Sequence, residues 1–217
     1  MMIKNYKHII WDWNGTLFDD TSLSVDIINR VLKRRNLSPL SMQEYRDIFT
    51  FPVKNYYEKA GLDFSKYSFA ELGKEWMDEY ENRKLECNLH SGARNVLAYV
   101  KSKSGEQSIL SAYSQHTLVE IVKHFELDHF FSHLVGLDNI YAVSKVDLGK
   151  ELMKQLGNGK GEVLLIGDTV HDYEVAMEIG ADCLLIANGH QSKEKLLECG
   201  VNVLDSIIEL INETAVN

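Results

Sequence analysis

The sequence predicts a doubly wound α/β fold, a parallel sheet with helices on both sides, interrupted once by an all-helical segment. Three observations lead there. Short apolar runs rich in Ile, Leu and Val recur at residues 9–13, 108–110, 134–137, 163–166, 184–187 and, more weakly, 201–204. Segments of helical period separate the later runs, and residues 19–88 carry helix signals without a convincing strand. Composition agrees: 217 residues, 45 % hydrophobic and 25 % charged, with 2 Pro and 3 Cys, exclude a disordered, collagen-like or disulfide-stapled chain.

Each run is strand-sized, and strands buried on both faces alternate with helices in parallel sheets. After the first run, Leu23, Ile27, Ile28, Val31 and Leu32 share one helical face. Ser41-Met42-Gln43-Glu44 and Ser68-Phe69-Ala70-Glu71 read as capping boxes. The expected division is an α/β core of residues 1–18 plus 89–217 and a helical insert of residues 19–88. The insert holds 10 of the 21 aromatic residues, among them Tyr45, Phe49, Phe51, Tyr56, Tyr57, Trp76 and Tyr80, and most are expected to pack its interior. Beyond it, Leu118, Ile121, Val122 and Phe125, then Leu148, Leu152, Met153 and Leu156, mark two helices between strands. Val175 and Ile179 mark another, after 163–166.

The net charge of −9 argues against nucleic acid or a membrane surface as partner, because both need a basic face. Lys and Arg number 11 in the insert against 13 acids, so most of the excess negative charge falls in the core. A divalent cation suits it better. Cys87, Cys183 and Cys199 are widely spaced, form no C-x-x-C pair and read as reduced packing residues. No signal peptide or membrane-length apolar run is evident, so a cytoplasmic protein is expected.

Open parallel sheets bind ligands at the carboxyl ends of their strands. The polar residues expected there are Asp12 and Asn14 after the first strand, Ser111 after the second, and Asp168 and Asp172 after the fourth, with Lys145 just before the preceding helix. A carboxylate held like Asp12 can attack phosphorus directly when a metal offsets the charge repulsion; alone, Asp12-Trp13-Asn14-Gly15 reads more readily as a turn. Asp168 and Asp172 can supply one direct Mg²⁺ ligand and one group that orients its waters, or else cap the following helix. Ser111 with the following backbone N–H, that of Ala112, can bind a phosphate oxygen. Lys145 reads as a surface residue or as a phosphate ligand, since a cation at a helix start opposes the macrodipole. His171 and His190 fall on loops at the same edge, as surface residues, capping groups or participants.

This ordered set resembles the haloacid dehalogenase-like superfamily of Mg²⁺-dependent phosphohydrolases, especially its phosphoglycolate phosphatase-like branch, whose helical cap follows the first strand. Asp12, Ser111, Lys145 and the Asp168/Asp172 pair match the family's four motifs in order, and His90-Ser91-Gly92 stands where the cap returns to the core. The resemblance implies a Rossmann-like core and a cap closing over a small phosphorylated metabolite. It implies that Asp12 is nucleophile and metal ligand, Asp168 a second ligand and Asp172 its support. Asn14 would lend its main-chain carbonyl to the metal, Ser111 would bind the phosphoryl group, and Lys145 would neutralise phosphate and nucleophile.

The departure is Asn14 itself, where the family keeps a second Asp that protonates the leaving oxygen and deprotonates the attacking water. An amide cannot exchange that proton, and general acid–base catalysis contributes about 10²- to 10⁴-fold. The expected function is therefore a phosphatase of small monoesters, with a catalytically weakened or inactive phosphate-binding or regulatory protein as the alternative.

Overall fold

The computed structural model describes residues 3, 6–103, 105–137, 144–157, 159 and 161–211. Its elements run β1 (His8–Trp11), β2 (Phe18–Asp19), α1 (Thr21–Lys33), α2 (Met42–Ile48), α3 (Val53–Lys59), α4 (Phe69–Arg83), β3 (Asn88–Leu89), α5 (Ala93–Ser102), β4 (Glu106–Ser114) and α6 (Gln115–His124). They continue with β5 (His133–Leu137), α7 (Lys145–Leu156), β6 (Val163–Gly167), α8 (Val170–Ile179), β7 (Asp182–Ile186), α9 (Lys193–Leu197) and β8 (Asn202–Leu204). Six strands form one parallel sheet in the order β5-β4-β1-β6-β7-β8. From β1 the chain builds to one side through β4 and β5, then crosses back to β6 on the other. The crevice at such a reversal is where this architecture binds ligands, and here it lies between the ends of β1 and β6.

Period-two alternation explains why the runs are apolar throughout. Ile9, Trp11, Ile109, Leu164 and Ile166 face one layer, with Val96, Leu97 and Val100 of α5 and Leu118, Ile121 and Val122 of α6. Ile10, Leu110, Val163 and Leu165 face the other, with Leu152 of α7 and Val175, Ala176 and Ile179 of α8. A third core belongs to α1–α4 and centres on Ile28, Val31, Leu32, Tyr45, Tyr56, Tyr57, Leu62 and Leu72. Helix α1 ties the two regions together, because Leu23 and Ile27 on its first turns pack into the core beneath the sheet.

The helical region is also seated on the loop after β7. Arg46 of α2 donates from Nε to the Gly189 carbonyl at 2.9 Å and from Nη2 to that of Asn188 at 3.0 Å. Gln191 and Lys195 both donate to the Phe49 carbonyl, at 2.8 and 2.6 Å. On the opposite flank the Tyr113 hydroxyl donates to Glu81 of α4.

Several local expectations need correction. Residues 19–88, expected to hold no strand, include the ends of two: β2 and β3 pair antiparallel, Phe18 with Leu89 and Asp19 with Asn88, at the two crossings into the helical region. Two-residue strands carry no periodicity to read. Ser41 forms the expected capping box with Glu44, whereas the Ser68 side chain caps nothing at α4. Ser111 does not end its strand; β4 runs on to Ser114, with a register shift against β5 between Leu110 and Ser114. The three cysteines are half-buried and free. Among the described residues, no helix is long and apolar enough to cross a membrane.

Candidate active site

Asp12 is the residue that follows β1, and its amide donates to the Ile166 carbonyl at 2.8 Å, holding it level with the end of β6. Asp168 follows β6, and Asp172 lies in the first turn of α8. Oxygen atoms from these three buried carboxylates lie within 4.8 Å of one another. Lys145 is the first residue of α7, which Ser144 caps in a reciprocal pair with Asp147. Its buried ammonium lies 2.5 Å from Asp12 Oδ1 and 2.5 Å from Asp172 Oδ1, so two carboxylates outweigh the unfavourable helix dipole.

Both readings of Asp172 hold at once. Its Oδ2 accepts from the Thr169 amide at 3.0 Å and the Thr169 hydroxyl at 2.6 Å, closing a capping box, while Oδ1 faces Lys145. Both oxygens of Asp172 are thus engaged. Asp168 accepts the Thr16 hydroxyl on Oδ1 at 3.0 Å and the His190 amide on Oδ2 at 2.6 Å. This close approach depends on two glycines. Gly15 turns the chain at φ +76°, and a Cβ there would lie 2.3 Å from Asp168 Oδ2; at Gly189 it would lie 2.1 Å away.

Burial, reinforced by the neighbouring carboxylates and opposed by Lys145, pushes the Asp12 carboxyl up to about 8, and burial pushes Asp168 up to about 6. Asp172 is also buried, but Lys145 outweighs that penalty and holds it below the ordinary carboxylate range. Three acidic groups against one ammonium leave excess negative charge in a dry site. Hard oxygen donors with that charge fit a divalent cation, which Asp12, Asp168 and Asp172 could hold.

A second cluster abuts the first and centres on Asp20, which is almost wholly buried. Its Oδ1 accepts from the Gly15 amide at 3.0 Å and faces His190 Nε2 at 3.2 Å. Its Oδ2 accepts from Asn14 Nδ2 at 2.9 Å and the Tyr80 hydroxyl at 2.6 Å. Asn14 Nδ2 also lies 2.7 Å from the Tyr80 oxygen. Tyr45 of α2 completes the chain, 2.8 Å from His190 Nδ1. Burial opposes a charged His190, yet the Asp20 carboxylate prevails and lifts it to about 9; the same contacts and the converging donors hold Asp20 low.

The structure thus brings Asp12, Asn14, Lys145, Asp168 and Asp172 into one neighbourhood, with His190 against Asp168. Ser111 is buried, and its hydroxyl accepts from the Tyr113 amide at 3.1 Å, while Ala112 is exposed. His171 is partly exposed, with its ring centroid 4.8 Å from that of Phe51 and Nδ1 3.3 Å from Glu174. Asp20, Tyr45 and Tyr80 are the participants that sequence reasoning missed. The adjacent acids Asp19 and Asp20 were one signal; the tyrosines were indistinguishable from packing aromatics.

A model of haloacid dehalogenase-like hydrolases matches residues 9–186, and the chain belongs to this family. Among individual proteins it is similar to the phosphoglycolate phosphatase of Synechococcus elongatus, 23 % identical over 213 residues that cover 94 % of this chain and 99 % of that one. The phosphoglycolate phosphatase of Psychrobacter arcticus is 23 % identical over 193 residues, 84 % of each chain. A solved haloacid dehalogenase-like hydrolase from Streptococcus pneumoniae shares the fold, with a TM-score of 0.81 at 20 % identity over 95 % of this chain and 97 % of that one.

Proposed function

We propose that this hydrolase is a Mg²⁺-dependent phosphatase of small phosphate monoesters, related in reaction to the phosphoglycolate phosphatases and working through an aspartyl phosphate on Asp12. The observation that carries the reading is the buried group of Asp12, Asp168 and Asp172 around Lys145 at the sheet's reversal. Asp12, Asp168 and the Asn14 main-chain carbonyl would hold the ion, with Asp172 in support. A bound Mg²⁺ supplies Lewis-acid neutralisation of phosphoryl charge. Lys145 neutralises nucleophile and phosphate, and Ser111 with the Ala112 amide receives a phosphoryl oxygen. Residues 19–88 act as a cap that shuts water from the site. The substrate is a small phosphorylated metabolite, met in the cytoplasm, and neither nucleic acid nor a membrane is a partner.

The test is phosphate release from an aryl phosphate with added Mg²⁺. Chelation and Asp12→Asn should each reduce the rate to background with the circular dichroism spectrum intact; activity surviving either would refute the mechanism. Asn14 favours a second reading, a phosphate-binding or regulatory protein with little catalysis. That reading expects saturable ligand binding that needs Lys145 and Ser111 without turnover, and a physiological rate on any metabolite eliminates it.

A further inference from the structure

Position 14 lies two residues from the proposed nucleophile, so what its side chain can donate or accept bears on which bonds the site can break. The amide orientation follows from its neighbours. Asp20 is a carboxylate with donors converging on it, so the Asn14 atom 2.9 Å from Asp20 Oδ2 must be the amide nitrogen. The second Nδ2 hydrogen is taken by the Tyr80 oxygen at 2.7 Å, since the Tyr80 proton is already given to Asp20. Both N–H groups of Asn14 are therefore spent inside the protein. Only Oδ1 is left to meet a ligand, and it accepts hydrogen bonds without donating any.

The other proton donors nearby face protein acceptors, although the Lys145 ammonium keeps a third hydrogen for the phosphoryl group. Lys145 sits between Asp12 and Asp172, His190 between Asp20 and Tyr45, and Tyr113 donates to Glu81. Asp20 is no substitute acid, because both of its oxygens are occupied as acceptors.

We propose that Asp20 is a positioning residue that locks Asn14 as a pure acceptor, and that the enzyme consequently acts on phosphate esters and anhydrides whose leaving groups depart as stable anions: aryl, enol and acyl phosphates rather than alkyl ones. The proposal rests on the phosphatase reading. In the first step an Asp12 oxygen forms a bond to phosphorus, and the bond to the leaving oxygen breaks. That oxygen departs with the electron pair as an anion and takes its proton from solvent. In the second step water, one hydrogen held by Asn14 Oδ1, attacks the phosphorus. The bond to Asp12 breaks, the carboxylate is regained, and both water protons leave with the phosphate as H₂PO₄⁻.

The experiment is a leaving-group series, substituted phenyl phosphates and alkyl phosphates of matched size, assayed for kcat/KM with Mg²⁺. The expected result is a steep dependence on leaving-group acidity, alkyl esters falling about 10²- to 10⁴-fold below aryl ones. A double variant, Asn14→Asp with Asp20→Asn, keeps one carboxylate and one amide and moves the acid to position 14. It should raise alkyl esters about 10- to 100-fold relative to aryl esters. Asp20→Asn alone removes the acceptor that holds the Asn14 amide and should flatten the slope by leaving an Asn14 N–H free to face the leaving oxygen, whereas a merely structural role for Asp20 would leave the slope unchanged. Equal turnover of aryl and alkyl esters by the wild type overturns this inference alone, as does a double variant with the wild-type slope. Absence of turnover on every ester overturns the phosphatase reading and takes this inference with it.

Discussion

Gly189→Ala isolates the spacing of the carboxylate site from the flexibility of its backbone. Gly189 does not adopt a left-handed conformation, so alanine is compatible with its backbone, and the only objection is space. The new Cβ would lie 2.1 Å from Asp168 Oδ2, 2.5 Å from Cγ and 2.6 Å from Cβ. Ordinary carbon–oxygen contact is roughly 3.2 Å or more, so a shift of about 1 Å is required. Asp168 cannot supply it cheaply, because Gly15 closes the other side. The loop must move outward instead, breaking the 2.6 Å bond from the His190 amide to Asp168. Overpacking of this kind costs about 1–3 kcal/mol, and losing a group that orients a metal ligand weakens affinity about 10- to 100-fold. Calorimetric Mg²⁺ titration and urea unfolding read the two effects. Gly180→Ala is the control: φ there is +76° with nothing within 4 Å of a Cβ, so it should cost about 1 kcal/mol in strain and leave Mg²⁺ affinity alone. Unchanged Mg²⁺ affinity in Gly189→Ala would refute the claim that loop contact sets the posture of Asp168.

Two further expectations concern buried polar groups. Asp20→Asn turns an NH₂ toward two of the converging donors, and at about 1–3 kcal/mol for each buried donor left unpaired it should cost about 2–6 kcal/mol by urea denaturation; a loss under about 1 kcal/mol would show that the cluster is not a tight network. His8 is wholly buried beside Ser108, and burial lowers it from 6.5 to about 4. Above pH 6.5 it is neutral in folded and unfolded chains alike. As pH falls through 6.5 toward 4 only the unfolded chain takes up the proton, so up to about 3 kcal/mol of stability is lost in that window. His8→Gln should flatten that part of the stability–pH curve, and an unchanged curve would assign the loss elsewhere.

What could be read from the sequence, and what could not, divides by physical cause. The runs around Ile9, Ile109, Leu164 and Leu184 announced strands because both faces of the sheet are covered, which makes every position apolar. The faces of α6, α7 and α8 were legible from period alone. The ribbon of β2 and β3 was not, since two residues have no period, and the end of β4 was misjudged because Ser111 is polar yet lies within the strand. In the site, Asp12 and Asp168 stood out as acids closing apolar strands. Asp20 did not, because its value comes from Tyr80 and His190, 60 and 170 residues away. Tyr45 and Tyr80 carry hydroxyls into a polar knot from helices whose other aromatics only pack, and hydropathy does not tell the two uses apart.

The loop after β7 and the α9 that follows it touch both halves of the molecule: the amide at residue 190 holds Asp168, while carbonyls 188 and 189 receive Arg46 and side chains 191 and 195 reach Phe49. Anyone who exchanges residues 19–88 for the corresponding segment of a relative therefore exchanges half of a fitted joint. Such a chimera would inherit a foreign α2 resting on a loop shaped for Arg46 and Phe49, and the misfit would register at Asp168. Transplants in this architecture should carry segment 187–195 with the helices, so that the unit of modularity is the insert together with its seat.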